Sequence, residues 1–329
     1  MRFSIIIPVF NRPDEVDELL ASLTGQTVSD FEVIVVEDGS SVSCEDVVAR
    51  YEDRLDVHYF MKPNSGPGQS RNYGVERAQG DYVLILDSDV VLPDTYIAEV
   101  SKELDADPCD AFGGPDRAHP DFTRMQKAIN YGMTSFFTTG GIRGGNKKLD
   151  KFYPRSFNMG VKREVYLSLG GFSEMRFGED IDFSTRIFKA GHSCRLFPEA
   201  WVWHKRRTNL KRFFKQVHNS GIARINLTLR HPGTLKLVHL LPTLFTVVCA
   251  VLLIGEVFCL WSMAPLVLYA LIIFIDASIK EKSMGVGLRA IAAAFVQLVG
   301  YGTGFIRSWW RRMVLKKPEF EAFKKNFYK

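Results

Sequence analysis

One long stretch of this chain has no acidic residue. Between Glu199 and Glu256 there is neither Asp nor Glu, while Lys205, Arg206, Arg207, Lys211, Arg212, Lys215, Arg224 and Arg230 all fall there. The net charge of +5 over 329 residues is mild and gives no ground for a nucleic-acid partner. The local excess runs straight into the most apolar part of the chain, which suits a segment lying against anionic lipid headgroups. A solvated basic face is the plainer alternative. Cysteine is sparse too: five residues, Cys44, Cys109, Cys194, Cys249 and Cys259, without a CxxC pair or zinc-ligand spacing. That argues against a disulfide framework and fits a reducing compartment. A signal-type N-terminus is also missing, since the apolar run before Pro8 is short and strand-like. The N-terminal part is therefore expected to stay cytoplasmic.

What is present first is an alternation of strands and helices. Residues 3–9 are a continuous, largely β-branched run, as expected of a strand covered on both faces of a parallel sheet. Residues 11–26 read as a helix opened by Pro13, with Val16, Leu19, Leu20 and Leu23 at helical spacing. A second strand at 31–36 ends in Glu37-Asp38-Gly39-Ser40. A helix near 44–51 leads to a strand at 57–61, and a helix near 68–78 leads to a strand at 82–86. That last strand ends in Asp87-Ser88-Asp89. This spacing predicts an α/β fold with right-handed crossovers and a mostly parallel sheet. Ligands of such sheets sit beyond the carboxyl ends of the strands, where both acidic clusters fall. A catalytic domain over 1–230 is expected. Residues 140–156, rich in glycine and basic side chains, read as a loop that a ligand would order.

Residues 231–329 read as a membrane-associated helical region. Two apolar stretches, 235–254 and 257–275, each approach the roughly 20 residues that a helix needs to cross hydrocarbon. A third helix is expected at about 287–310, followed by a basic tail with Trp309 and Trp310 at headgroup level. Basic flanks on both sides of these stretches favour one cytoplasmic face, hence an even number of crossings. A hairpin with an interfacial or re-entrant third helix meets that demand; three crossings remain an alternative.

The chemistry-bearing residues are mostly carboxylates. Asp87 and Asp89, two residues apart at a strand end, can converge on one hard cation such as magnesium or manganese. Solvated acidic turns are common, so the motif gains weight from its place after a buried strand. Glu179-Asp180 opens an amphipathic helix, where the helix dipole favours carboxylates. Its functional reading is a general base, because a hydroxyl is a poor nucleophile until a carboxylate takes its proton. Asp182 is the alternative on the same helix. His204, after an apolar run, matters only where the strand delivers it beside the metal.

In order, SIIIPVFNRPDEV, FEVIVVEDGS, GPGQSRNYGVERAQGDYVLILDSDVVLP, FNMGVKREVYLSLGGF and GEDIDFSTRIFKAG resemble the family 2 glycosyltransferases of GT-A fold, over residues 3 to about 220. The resemblance implies an inverting, metal-dependent sugar transfer from a nucleotide-sugar such as a UDP- or GDP-sugar. Pro8, Phe10, Asn11 and Arg12 match the segment bordering the nucleotide, and Glu37 and Asp38 the pair that holds base and ribose. Arg71 matches a position near the donor. Asp87, Ser88 and Asp89 match the metal motif at the donor, and His204 resembles a histidine that approaches the metal or diphosphate. Asn158, Met159 and Gly160 match a segment lining the sugar and acceptor, beside Glu179. Asp180 matches the catalytic base.

Two departures from the family pattern stand out. Gln216-Val217-His218-Asn219-Ser220 replaces the QxxRW motif of the processive polymerases, and Phe10 stands where many members have tyrosine. The first disfavours a polymerase that threads its product through the membrane. Lys147, Lys148 and Arg155 are expected to add positive potential near the phosphates. With membrane helices attached, the expected acceptor is a lipid-linked saccharide in surface glycan assembly, at the inner membrane. Direct transfer to a polyprenyl phosphate, a catalytically silent membrane scaffold, and nucleotidyl transfer are the rival readings.

Overall fold

The computed structural model describes residues 1–140 and 152–319. Most of the expected ligand-ordered loop, with Lys147 and Lys148, lies outside the described residues, as does the basic tail from residue 320 onward. The described chain falls into two compact units, residues 1–117 with 152–205, and residues 118–140 with 206–319.

In chain order the elements are β1 (Phe3–Val9), α1 (Pro13–Thr24), β2 (Phe31–Asp38), α2 (Glu45–Ala49), β3 (Val57–Lys62), α3 (Pro67–Val75), β4 (Tyr82–Leu86), β5 (Val90–Val91), α4 (Tyr96–Ala106), β6 (Ala111–Gly113) and β7 (Asp116–Arg117). There follow α5 (Arg124–Thr134), α6 (Phe136–Thr139), β8 (Asn158–Lys162), α7 (Arg163–Ser168), α8 (Glu179–Lys189), β9 (Cys194–Leu196) and β10 (Val202–His204). The chain continues with α9 (Leu210–Arg230), α10 (Leu241–Gly255), α11 (Ala264–Lys280) and α12 (Met284–Trp309).

The first unit is built on a seven-stranded sheet of order β3-β2-β1-β4-β8-β6-β9. Strands β1 to β4 pair in parallel, as the alternation of elements predicts. All seven residues of β1 are buried because each face meets its own core. Ile5 and Ile7 enter one apolar cluster and Ile6 the other. Helix α1 starts at Pro13, whose missing N–H costs nothing at a first helical position, and buries Val16, Leu19, Leu20 and Leu23. One strand departs from the parallel pattern: β8 runs antiparallel to both β4 and β6. Gly160 permits this, since a Cβ there would lie 2.0 Å from the ring of Phe112.

A second, three-stranded sheet joins β5, β10 and β7. It is made of two- and three-residue strands, too short for any periodicity to reveal.

The second unit is helical. Ala128 and Ile129 of α5, Phe213 and Val217 of α9, Ile273 of α11, and Ala290, Ala293 and Ala294 of α12 form one apolar cluster. Helices α5, α6 and α9, expected to go with the catalytic domain, thus group with the C-terminal helices. The shared apolar faces account for that grouping. Three helical segments, Leu237–Gly255, Trp261–Lys280 and Met284–Val314, are long and apolar enough to cross a membrane.

Asp110, at the start of β6, ties the far side of the sheet together. Its carboxylate accepts from the amide and hydroxyl of Ser193, both at 2.9 Å, and from Lys162 at 3.0 Å. Burial alone pushes an acid up, but Ser193 and Lys162 outweigh it and pull Asp110 down to about 2, against an ordinary value of 3.8. A depressed acid stabilises the fold above its unfolded pKa and loses that contribution as pH falls through the folded value. Asp110→Asn is expected to cost on the order of 2 kcal/mol at neutral pH, with the gap closing below the unfolded pKa of Asp110. Thermal unfolding of the full chain in detergent across that range checks it; a gap that persists at the acid end contradicts the assignment.

Candidate active site

The site assembles at the carboxyl ends of β1, β2 and β4. After β1 the chain turns through Asn11, whose φ of 54° is left-handed, a conformation that Asn tolerates better than most residues. Its side-chain oxygen accepts from the amides of Ser41 and Val42 at 2.8 and 2.9 Å, and its own amide donates to the Ser40 hydroxyl at 2.8 Å. The turns after β1 and β2 are thus laced together.

Glu37 and Asp38 close β2 and are buried. Glu37 accepts from Tyr59, from the Ser43 hydroxyl at 2.9 Å and from the Cys44 amide at 3.1 Å. Burial raises its pKa, and hydrogen bonding from Ser40 first, then from Tyr59, Cys44 and Ser43, more than reverses the rise. Asp38 accepts from Lys62 and from the amides of Ser65 and Gly66 at 2.9 and 2.8 Å. Both carboxylates are acceptors fixed by the protein itself. Pro8 lies within β1, opposite Val36.

Asp87 follows β4. Its Oδ1 accepts from Arg71 of α3 at 2.7 Å, and the same guanidinium donates to Glu179 at 3.2 Å. Ser88 is buried between the two acids of the motif. Asp89 pairs on one side with Arg12 at 3.2 Å and on the other with His204 Nε2 at 3.2 Å. The small sheet makes the second contact: β10 pairs His204 with Val90, and the Lys205 amide donates to the Asp89 carbonyl at 3.0 Å. Phe157 stacks on the His204 ring, centroids 4.9 Å apart. Asp87, Asp89 and His204 each offer a ligand atom, all within 4.8 Å of one another, and form a possible metal-holding group among the described residues.

Gly178 caps α8 with a left-handed φ of 86°, which turns the chain so that Glu179 and Asp180 open the helix. The two neighbours are pushed in opposite directions. Burial first, then the nearby Asp180 carboxylate, pushes Glu179 up to about 7, against the pull of Arg71. Asp180 is also buried, but Arg155, the Ile181 amide and Arg71 outweigh burial and hold it below the ordinary range. Arg155 Nε donates to Asp180 at 2.7 Å. Asp182, the alternative base, is committed to Ser173 and Arg186, each at 2.9 Å.

The stretch Asn158–Gly160 is packed into the fold. Asn158 is buried; it accepts from the Tyr96 hydroxyl at 2.7 Å and donates to the Ala200 carbonyl at 2.8 Å. Met159 belongs to an apolar core cluster, and Gly160 faces Phe112. These side chains are used by the fold. Arg155, expected near phosphates, sits instead on the carboxylate of Asp180. Asp116, whose Oδ2 lies 3.7 Å from His204 Nδ1, was missed altogether. It stands in a two-residue strand, and no motif marks it.

A mostly parallel α/β sheet with acidic strand ends and a second acidic pair on a helix defines a GT-A type domain. The sequence profile described as Glycosyl transferase family 2 matches residues 4–170, more than half of the chain, and the chain belongs to that family. An uncharacterized glycosyltransferase of Haemophilus influenzae is 32% identical over 193 residues, spanning 56% of this chain and 62% of its own length. The poly(ribitol-phosphate) beta-N-acetylglucosaminyltransferase TarS of Staphylococcus aureus is 34% identical over 109 residues, 32% of this chain and 19% of its own. The chain thus spans less than two thirds of either curated relative. Among solved structures, the mannosyltransferase PcManGT of Pyrobaculum calidifontis, in complex with GDP-Man and Mn2+, has a TM-score of 0.63 at 20% identity. It covers 90% of this chain and 87% of its own, a likeness of fold.

If Asn158 serves the fold alone, Asn158→Ala strands the Tyr96 hydroxyl and the Ala200 carbonyl and costs about 2–4 kcal/mol. Thermal unfolding is expected to show that loss, while UDP and GDP affinity stays within about twofold of the parent. Weaker nucleotide binding at unchanged stability would restore the ligand-lining role.

Proposed function

We propose that this protein is an inverting glycosyltransferase that moves a sugar from a nucleotide-sugar to a hydroxyl of a lipid-linked saccharide. The observation that carries the reading is Arg71, which bridges Asp87 of one acidic motif to Glu179 of the other. A metal-binding pair and a base have to share one cavity, and this bridge supports that arrangement. PcManGT, similar in fold, was solved with a GDP-sugar and Mn2+, and TarS is named for transfer of an amino sugar.

Two carboxylates and an imidazole suit Mn2+ or Mg2+, the imidazole favouring the softer manganese. Asp87, Asp89 and His204 are the residues that would hold the cation. The chemistry it supplies is neutralisation of charge on the departing diphosphate. Asp180, kept anionic, accepts the proton of the acceptor hydroxyl. The new bond from that oxygen to the anomeric carbon forms as the bond to the donor phosphate breaks, and the electron pair leaves with the nucleoside diphosphate. One carboxylate suffices for a single inverting displacement, whereas glycosidases need two acting on water or as nucleophile. Glu37, Asp38, Asn11 and Phe10 border the nucleotide in this reading. Arg12 and Arg71 are poised to exchange their carboxylate partners for phosphate oxygens.

For the membrane we infer two crossings with the catalytic domain on the cytoplasmic side. The candidate spans are unequally covered: 6% and 17% of the first two are buried by protein, against 39% of the third. Helix α12 is flanked by α9, which carries Lys211, Arg212, Lys215, Arg224 and Arg230. The approach is close, for a Cβ on Gly221 would lie 2.1 Å from the Tyr301 carbonyl, and one on Gly304 2.0 Å from that of His218. A helix that holds so basic a neighbour belongs at the headgroup level, not in hydrocarbon. The hairpin α10–α11 is then the anchor, which favours an acceptor that is itself lodged in the membrane.

Asp180→Asn is expected to lower turnover by about 10²–10⁴-fold with nucleotide affinity retained. Radiolabelled transfer with a panel of UDP- and GDP-sugars, offered both a polyprenyl-diphosphate saccharide and a polyprenyl phosphate, measures it. Turnover equal to the parent removes the base. A product made only from the phosphate acceptor redirects the reading to lipid-phosphate sugar synthesis.

Topology has its own test. Cys259, exposed in the turn between α10 and α11, is expected to react with an impermeant maleimide from outside intact cells. A cysteine put at Lys316 in a Cys259→Ser background should react only after the membrane is opened. Labelling of both positions from one side rules out two crossings.

A further inference from the structure

We propose that Asp116 is a positioning residue for His204: it holds the imidazole with Nε2 turned toward Asp89 and so sets the affinity of the three-donor group for a divalent cation. This rests on reading Asp87, Asp89 and His204 as the cation site.

The two nitrogens of His204 meet carboxylates on opposite sides. Nε2 lies 3.2 Å from Asp89 Oδ1, and Nδ1 lies 3.7 Å from Asp116 Oδ2. Only the first of these acids belongs to the three-donor group. An imidazole that ligates through Nε2 must carry its proton on Nδ1, and a carboxylate facing Nδ1 favours that tautomer and the matching ring orientation. At 3.7 Å the contact is an electrostatic one, longer than a hydrogen bond.

The backbone keeps Asp116 where it is. Strand β7 pairs in parallel with β10, Asp116 opposite Val202 and Arg117 opposite Trp203. The Val202 amide donates to the Pro115 carbonyl at 3.1 Å. Just before, Gly114 approaches the Ala200 carbonyl so closely that a Cβ would lie 1.6 Å from its oxygen. Glycine is therefore required for β7 to reach β10. On its other edge β10 pairs with β5, which follows Asp89 directly. The small sheet thus brings the segments carrying Asp89, His204 and Asp116 side by side, and the stacked Phe157 ring restricts rotation of the imidazole between the acids.

The test is Mn2+ binding to the full chain in detergent, read by electron paramagnetic resonance, with parent, Asp89→Asn, Asp116→Asn and Asp116→Glu. Asp116→Asn is expected to raise the Mn2+ Kd by about 10–100-fold while leaving the melting temperature of the cation-free protein unchanged. Asp116→Glu, which keeps the charge, should regain most of the affinity. A parent Kd that Asp89→Asn does not change, or no binding by the parent, overturns the cation-site reading and this proposal with it. Parent-like binding by Asp116→Asn overturns the proposal alone. Should Asp116→Asn also melt early, Asp116→Glu decides: binding as weak as in the Asn variant refutes a role for the charge.

Discussion

The guanidinium of Arg71 is almost wholly buried, and it gives one nitrogen to Asp87 and another to Glu179. Its flat face lies against Phe172, with 5.1 Å between Cζ and the ring centroid. A charge so far from water is tolerated only when it is paired, and breaking such a pair from either side leaves an uncompensated ion. Everything at the strand ends is arranged around that constraint. Helix α3 must deliver the arginine, β4 must end where Asp87 can meet it, and α8 must begin at Glu179. The glycine before α8 exists for the same reason, since its left-handed turn starts the helix at that point.

The resting site is balanced ion by ion. Arg12 covers Asp89, Arg71 covers Asp87 and Arg155 covers Asp180, so each carboxylate assigned to chemistry already has a cationic partner. Glu179, squeezed between burial and its ionised neighbour, is the acid that gives way toward the protonated form. These pairings offset the repulsion among the four clustered acids. It also means that ligands entering the site replace existing ion pairs instead of meeting bare charge.

Much of this was legible beforehand, and the limits have physical causes. Strands β1, β2 and β4 announce themselves because both of their faces are buried, which leaves nearly continuous apolar runs; the exceptions inside them, Ser4 and Glu32, are hydrogen-bonded to each other at 2.6 Å. Their acidic ends follow from the strand boundaries. Strand β8 was not legible as antiparallel, because its register with β6 depends on Gly160 fitting over Phe112, a contact between distant parts of the chain. The same holds for Asn158, which looks like a ligand-facing polar residue until Tyr96 and Ala200 are seen on either side of it. Asp116 lies outside any pattern, for it and its partner His204 stand on strands of two and three residues; Arg155 lies on a connecting segment, and nothing in the sequence marks Asp180 as its partner. Helix α9 is amphipathic, and its sequence gives the apolar face but not the neighbour that covers it; that neighbour is α12.

The clasp made by Asn11 has one more consequence. By binding the amides of Ser41 and Val42 with its side chain and Ser40 with its backbone, it makes two separate turns a single rigid ledge. Under the proposed function, a nucleotide docking on a surface stiffened beforehand would give up little freedom, and its affinity would be governed by shape and not by closure. Selectivity among heterocycles would then be a property of the resting protein, readable in its unliganded form.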